Sequence, residues 1–188
     1  MKVETIEIAG LAGALTALRV PFGKEARSRI ETDNYWNDGM DRPTAIWHNE
    51  TDIELDTYDE SLMQTLVKRG DEHAKVVRGI MVWAKITAPV YWWCEEETYR
   101  MGHERLASES TMHIDCRGLA GSELQEAKSA IPMGKELTKV DMFSYQALRK
   151  MVAQRHNHRL PEWHQFIDWI KTLPLAEELI LVGLEMEE

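Results

Sequence analysis

Two arginines near the carboxyl end of the chain are the first residues whose type and spacing indicate chemistry. Residues 154–159 form the one basic patch in an acidic chain, and Arg155 and Arg159 are four positions apart. On a helix this spacing places both side chains on one face. Two guanidinium groups together make a good clamp for a phosphate or pyrophosphate. The alternative is a solvated helix end, where cations interact favourably with the helix dipole.

A hydroxyl-rich segment, residues 107–113, contains Ser108 and Ser110. Such a segment can bind a phosphate through its side chains and its backbone amides. A plain turn or helix cap explains the same residues without any ligand, and both interpretations stay open at this point.

Histidine and cysteine side chains raise the question of a metal ion. His113 and Cys116, with His103 nearby, form one group, and His156 and His158 form another. Neither group has the paired spacing, CxxC or HExxH, that is typical of metal sites, so we predict no metal site. Nothing marks either cysteine as an activated nucleophile.

Aromatic residues offer a further possibility, since three of the seven tryptophans are Trp83, Trp92 and Trp93. Their faces can stack on a planar ligand, but such residues more often belong to a core or a subunit interface.

Hydrophobic periodicity predicts the elements that position these residues. The predicted elements are a strand over residues 2–9, a helix over 11–20, a helix over 59–68, a strand over 79–86 and a helix from Pro89 into 95–97. Residues 24–54 are rich in turn formers and predict a long surface loop or a short hairpin. Residues 101–133 have a weak pattern, which predicts a loop with one short helix near 122–130.

The carboxyl-terminal part of the chain predicts two packed helices joined near Pro161. The apolar stripe of the first contains Phe143, Ala147, Leu148, Met151 and Val152, and that of the second contains Trp163, Phe166, Ile167 and Ile170.

The overall composition limits the partners of the chain. At 188 residues with 44% hydrophobic residues, we expect a single domain spanning 1–188. The formal net charge of −10 makes duplex nucleic acid an unsuitable partner. The two cysteines and the lack of an export signal or a membrane span predict a reduced, cytoplasmic protein.

The order of several motifs resembles the flavin-dependent thymidylate synthase (ThyX) family. Residues 70–73, ending in Glu72-His73, precede the strand over 80–86 and the segment Ala88-Pro89. In that family a Glu-His pair, a strand and an Ala-Pro-like dipeptide lead to an Arg-His-Arg signature and a serine-rich loop. Laid on without a gap from Ala88-Pro89, the signature falls on residues 98–100, where only Arg100 is retained.

Other family positions are changed or kept in the same way. The family's Gln before the signature corresponds to Glu95, and its Ser-x-Arg-Tyr corresponds, after a short insertion, to residues 110–113, so that Met112 replaces the arginine. Further along, Arg155 and Trp163 match the family's later arginine and its Ala-Gln-Trp-Glu-like helix start. The resemblance covers about residues 60–175.

The resemblance implies an α+β fold with a central antiparallel sheet flanked by helices, assembled as a homotetramer with each active site between subunits. It also implies FAD as cofactor and dUMP or a related pyrimidine nucleotide as substrate. In the family a reduced flavin supplies hydride and a methylene folate supplies the one-carbon unit, with reduced nicotinamide as the source of electrons.

Carried over residue by residue, the resemblance assigns two sets of site residues. His73, Arg100 and Arg155 would bind the flavin cofactor. The residues that would bind the nucleotide are Glu95, Ser108, Ser110 and Arg159. No residue is assigned a catalytic role.

The departures from the family pattern leave three functions open. Loss of guanidinium groups at Thr98 and Met112 weakens an anion pocket, and His103, Glu104 and Arg105 are candidate substitutes. The first hypothesis is an enzyme that transfers one carbon to dUMP, either as a methyl group or in a related base modification. The second is a non-catalytic nucleotide-binding or interaction protein that kept the fold. The third is a structural oligomer with no small ligand.

Overall fold

A four-stranded antiparallel sheet with helices packed on it forms the framework of the chain. The computed structural model describes residues 1–37 and 46–185. The strands are β1 Lys2–Ala9, β2 Arg29–Asn37, β3 Ile46–Glu54, β4 Met81–Pro89, β5 His103–Ser108 and β6 Glu136–Ser144. The α-helices are α1 Leu11–Arg19, α2 Thr57–Lys68, α3 Val90–Glu96, α4 Thr111–Ile114, α5 Gly121–Ser129, α6 Tyr145–Arg155 and α7 Pro161–Lys171. Short 3₁₀ turns cover Val20–Phe22 and Lys75–Arg78, and a π-helical turn covers Glu177–Leu181.

The main sheet has the strand order β1-β4-β6-β5, and each neighbouring pair is antiparallel. The two central strands pair over their full length, from Met81 opposite Ser144 to Pro89 opposite Glu136. Alternate residues of β4 are fully buried, as expected for a strand with one face on the core. This arrangement confirms the predicted α+β class and the antiparallel sheet.

Helices α6 and α7 cover the inner face of the sheet and supply much of the core. Trp92 of α3 packs within 5.0 Å of Trp163 and 5.4 Å of Phe166, measured between ring centroids, and all three side chains are fully buried. The prediction of two packed terminal helices is confirmed. The predicted start of the first of these helices was wrong, because Phe143 belongs to β6 and α6 begins at Tyr145. The Ser144 hydroxyl caps it by accepting a hydrogen bond from the Ala147 amide.

The prediction of a loop over residues 101–133 was wrong in one respect. The short helix exists as α5, but residues 103–108 form the edge strand β5, which pairs with β6. Most of its side chains are exposed, so the strand carries little of the hydrophobic signal on which the prediction depended.

Residues 24–54 contain a second, separate sheet rather than a long loop. Strands β2 and β3 pair in register from Arg29 opposite Glu54 to Asn37 opposite Ile46. The predicted hairpin is therefore confirmed, with strands of nine residues each. The turn formers at positions 38, 39 and 41–43 lie outside the described residues.

Helix α2 begins two residues before the predicted start, because Asp56 is its cap and accepts a hydrogen bond from the Tyr58 amide. Asp59 is instead fully buried and serves as an anchor for residues 19–28. Its carboxylate accepts hydrogen bonds from Arg19 Nε (2.5 Å), the Arg27 amide (2.7 Å), and the amide and hydroxyl of Ser28 (2.7 and 2.8 Å).

We expect the Asp59 carboxylate to make stability depend on pH. Burial acts to raise its pKa, but the hydrogen bonds from Ser28, Arg19 and Arg27 outweigh burial and hold it at about 2. A depressed pKa stabilises the fold above about pH 4, and this contribution of about 2 kcal/mol is lost as pH falls towards 2. Urea unfolding of Asp59→Asn should show lower stability at pH 7 and a smaller loss between pH 4 and 2. The control is Asp168→Asn, which changes an exposed carboxylate. If wild type and Asp59→Asn lose the same free energy of unfolding between pH 4 and 2, Asp59 is not the source of the pH dependence.

Within the described ranges, the structure contains no helix that is both long enough and apolar enough to cross a membrane.

Candidate ligand-binding site

A cavity of about 440 Å³ lies between α1 and the turn that precedes β4. Its lining is mainly small and apolar, and three polar residues, Glu72, His73 and Lys75, also contribute. The apolar lining consists of Gly10, Gly13, Ala14, Ala17, Leu18, Pro21, Phe22, Leu66, Val76 and Gly79. An apolar cavity of this size with a few polar groups is typical of a small-molecule site.

Glycine makes the shape of this cavity possible at the point where α1 begins. Gly10 has φ +92°, and a Cβ atom built on it would lie 1.9 Å from the carbonyl oxygen of Gly79. Only a residue without a side chain allows the two backbones to approach so closely. By contrast, a Cβ atom on Gly13 would meet nothing within 4 Å.

His73 and Glu72 are exposed and line this cavity just before β4, in the order that the resemblance implied. None of the arginines predicted from the sequence to bind anions contributes to its lining. The predicted site residues therefore lie in more than one region of the chain.

A second region forms where α3, α6 and α7 meet, and Glu95 is at its centre. One carboxylate oxygen of Glu95, Oε2, accepts a hydrogen bond from Trp163 Nε1 at 2.9 Å and from Arg155 Nη1 at 3.1 Å. His158 Nε2 lies 3.2 Å from the same oxygen. His158 Nδ1 accepts a hydrogen bond from the Leu160 amide, so Nε2 carries the proton in the neutral ring.

Arg155 is held by aromatic residues as well as by Glu95. Its guanidinium lies 4.9 Å from the ring centre of Trp163 and 5.6 Å from that of Tyr99, and its Nε donates to the Tyr99 hydroxyl at 2.8 Å. Such cation–π contacts fix the plane of the guanidinium. The structure thus brings Glu95 and Arg155 together as an ion pair, and an anionic ligand would have to compete with Glu95.

The prediction that Arg155 and Arg159 lie on one face of a helix was wrong. Helix α6 ends at Arg155, and His156 is its C-cap, so Arg159 lies beyond the helix and the four-residue spacing does not place the two side chains on one face. Arg159 and Arg100 are both exposed.

The two predicted serines lie in a third region, at the end of β5. The Ser108 hydroxyl donates to the carbonyl of Glu109, and Ser110 is the N-cap residue of α4 with no side-chain cap hydrogen bond. The two residues thus lie at a strand end and at a helix start, where the alternative interpretation of a turn and cap expects them.

A buried ionic network between α3, β5 and β6 was not predicted from the sequence. Arg105 donates to both oxygens of Asp141 at 3.0 Å, to Glu96 Oε2 at 2.6 Å and to Glu97 Oε1 at 2.6 Å. Glu96 and Asp141 are fully buried. The sequence contained one signal for this network: His103 and Arg105 are two positions apart, and on a strand this spacing places both side chains on one face. Arg105 is thus committed to carboxylates of the chain, which argues against its role as a substitute ligand for an anion.

The network shifts the pKa values of its members in opposite directions. Burial, with a further contribution from the charge of Asp141, raises the pKa of Glu96 to about 7 despite the opposing charges of His103 and Arg105. For Asp141, burial is outweighed by hydrogen bonds from His103 and Arg105, and its pKa is lowered. For His103, burial is outweighed by Asp141 and Glu96, and its pKa is raised. Such opposite shifts are typical of charges that interact at close range in a buried site.

The remaining candidate residues from the sequence are placed as follows. Trp92 and Trp93 are buried in the core, so they do not offer faces to a ligand in this chain, and Trp83 is half-buried. Cys116 is buried and Cys94 is exposed. Among residues 1–31 and 52–185, whose side chains the structure describes, the one group of metal-ligating side chains is Glu96, His103 and Asp141. Of the residues that the sequence suggested for a metal, only His103 belongs to this group.

Comparison of the structure with solved structures identifies the architecture. No protein-family model and no curated protein sequence matches the chain. The thymidylate synthase ThyX from Helicobacter pylori with FAD and dUMP superposes with a TM-score of 0.66 and 12% identity, covering 98% of this chain and 100% of ThyX. The chain has the ThyX fold.

A second kind of enzyme shares this fold. The UMP/dUMP methylase PolB from Streptomyces cacaoi, bound to 5-Br dUMP, superposes with a TM-score of 0.60 and 13% identity, covering 99% of this chain and 97% of PolB. The ThyX-like fold therefore extends over nearly the whole chain, including most of the amino-terminal region that the motif resemblance did not reach.

Proposed function

We propose that this chain is a flavin-dependent thymidylate synthase-like enzyme that transfers a one-carbon unit to the pyrimidine of dUMP. The observation that carries the proposal is the apolar cavity with His73, within a fold shared with ThyX and PolB. The cavity volume of about 440 Å³ lies near the lower end of the range for small-molecule sites. A cavity of this size and apolar lining would accommodate a planar ring system. The rest of a dinucleotide would lie outside it.

Residues of the chain would hold the ligands in two places. The small side chains of α1 would pack on the flavin ring, and His73 and Lys75 would contact its polar edge. Arg155, held in plane by Trp163 and Tyr99, would bind a phosphate group of the cofactor or nucleotide. The flavin supplies hydride when bound, and the chain supplies binding, orientation and exclusion of water.

A homotetramer with shared sites, as the resemblance implies, would account for the separation of these regions within one chain. If each site lies between subunits, the cavity of one protomer would face the Arg155 region of another. Exposed apolar side chains on β5 and α4, namely Leu106, Met112 and Ile114, provide a surface that an interface would bury.

A second function, a non-catalytic nucleotide-binding protein, is favoured by one observation. The Arg155 guanidinium is already paired with Glu95, whereas a phosphate site in an active enzyme would be expected to leave the cation available. The replacement of two arginines of the family by Thr98 and Met112 also favours the non-catalytic protein, because it removes positive charge from the anion pocket.

Flavin retention separates these functions. The protein is incubated with FAD, free FAD is removed, and the visible absorption spectrum is measured for wild type, Gly13→Leu, Arg155→Ala and the exposed control Arg117→Ala. We expect flavin bands in wild type and the control, and weaker bands in Gly13→Leu, whose side chain enters the cavity. Loss of a charge-assisted contact in Arg155→Ala should weaken binding by about 1.5–3 kcal/mol, roughly 10- to 100-fold.

The variant Glu95→Gln tests the role of the ion pair in the same assay. It keeps the shape of the side chain but removes the charge that competes with an anion, so we expect FAD or dUMP to bind more tightly. No retained flavin together with a dUMP-dependent rise in melting temperature would favour the binding protein. Neither flavin nor dUMP binding by folded wild type would contradict both functions.

A further inference from the structure

The buried group Glu96, His103 and Asp141 has the geometry of a metal site, and it is independent of the cavity. One ligand atom from each residue lies within 4.8 Å of the others. His103 Nε2 is 3.1 Å from Glu96 Oε1 and 3.2 Å from Asp141 Oδ2. Ligand atoms held tetrahedrally at about 2.1 Å from one zinc ion are about 3.4 Å apart. The observed distances are slightly shorter, so small shifts of the three side chains would accommodate an ion.

The orientation of His103 is fixed in the way that metal-binding histidines usually require. Its Nδ1 lies 2.7 Å from the carbonyl oxygen of Tyr99 and donates to it. This hydrogen bond leaves Nε2 as the free lone pair of the neutral ring. The ring also stacks on Phe143, with centroids 4.6 Å apart and planes inclined by 11°.

Two polar atoms in this group have no hydrogen-bond partner of good geometry. They are His103 Nε2 and Glu96 Oε1, and both are buried, with the Glu96 side chain fully buried. Buried polar atoms are nearly always paired. Because the two carboxylate oxygens would repel a bare lone pair on Nε2, this nitrogen carries a proton when no ion is present, and a metal ion would take the place of that proton.

The charge of the group leaves room for a cation. Arg105 offers one positive charge to the two fully buried carboxylates, Glu96 and Asp141, so once an ion displaces the proton of His103 one negative charge remains for it to neutralise. Arg105 donates to Glu96 Oε2 and to both oxygens of Asp141, and it thereby fixes the two carboxylates with Glu96 Oε1 and Asp141 Oδ2 facing His103, as an outer-shell residue does in metal sites.

We propose that Glu96, His103 and Asp141 bind one divalent first-row transition ion, of which Zn²⁺ is the representative. One imidazole nitrogen and two carboxylate oxygens suit such an ion better than Ca²⁺ or Mg²⁺, which prefer oxygen ligands alone. Since the ligands are buried and come from α3, β5 and β6, the ion is structural and ties α3 to the sheet.

Zinc binding by tag-free, chelator-treated protein tests the proposal. Isothermal titration with Zn²⁺ alone should give one ion per chain, and Zn²⁺ should raise the melting temperature. Glu96→Gln and His103→Gln should each weaken binding at least tenfold, because even outer-shell losses cost about 10- to 100-fold. Glu104→Gln and His113→Gln change exposed residues of the same types and should bind as wild type does.

Two results would overturn the proposal. One is folded wild-type protein that binds no Zn²⁺ at micromolar concentration. The other is wild-type affinity in both ligand variants, which would place the ion elsewhere. If those variants do not fold, wild type alone decides: one equivalent of Co²⁺ should broaden the NMR signals of the Phe143 ring, and unchanged signals would exclude an ion at His103.

Discussion

Gly10→Ala is expected to prevent stable folding of the chain. The new methyl carbon would lie 1.9 Å from the Gly79 carbonyl oxygen, and it would occupy a backbone conformation with φ +92°. Neither atom belongs to a flexible side chain, so the start of α1 must move away from the turn before β4. We expect a loss of about 4 kcal/mol or more, which is exceptional for one methyl group. Soluble yield, circular dichroism and urea unfolding measure it.

Gly13→Ala provides the matched control three residues further on. A Cβ atom there meets nothing within 4 Å, and Gly13 lies inside α1. Alanine in a helix interior should stabilise the protein by about 0.5–1 kcal/mol. If Gly10→Ala unfolds at the same urea concentration as wild type, the close approach of the two backbones is not a requirement of the fold.

Arg105→Gln is expected to destabilise the protein by about 3–5 kcal/mol, the usual cost of removing one partner from a buried ion pair. The variant leaves Glu96 and Asp141, which are both fully buried, without their guanidinium. Chemical unfolding at pH 7 measures the loss. Arg100→Gln, an exposed arginine, should change the free energy of unfolding by no more than about 0.5 kcal/mol.

This pair of variants also separates structural from ligand-binding roles. The sequence alone suggested that Arg105 replaces a lost arginine of the anion pocket. Reduced FAD or dUMP binding in Arg105→Gln, with an unchanged free energy of unfolding, would restore that hypothesis.

Strand β4, which the sequence predicted, has a conventional hydrophobic face. In β4 the buried positions are Val82, Ala84, Ile86 and Ala88, and the alternation is plain. In β6 the buried positions include Lys139, Asp141 and Phe143, whereas Val140 and Met142 are only half-buried. Charged residues on the inner face reverse the usual pattern, so this strand was not recognised and Phe143 was assigned to the following helix.

The candidate site was predictable only where it depended on order along the chain. The position of His73 before β4 followed from the order of motifs. The pairing of Glu95 with Arg155 did not, because it depends on where α6 ends and on how α7 packs against α3. Likewise, the contact of Arg105 with Asp141 depends on strand register, which periodicity does not determine.

Neighbouring residues of α3 belong to different ionic groups. Glu95 binds Arg155 and Trp163, whereas Glu96 faces Arg105 and His103. A ligand that draws Glu95 away from Arg155 therefore acts on a helix of only seven residues that is also fixed through Glu96. The two regions share this element, and any effect that occupancy of one has on the affinity of the other must be equal and reciprocal. Helix α3 is the element through which such coupling between anion binding and the interior charges of the fold would act.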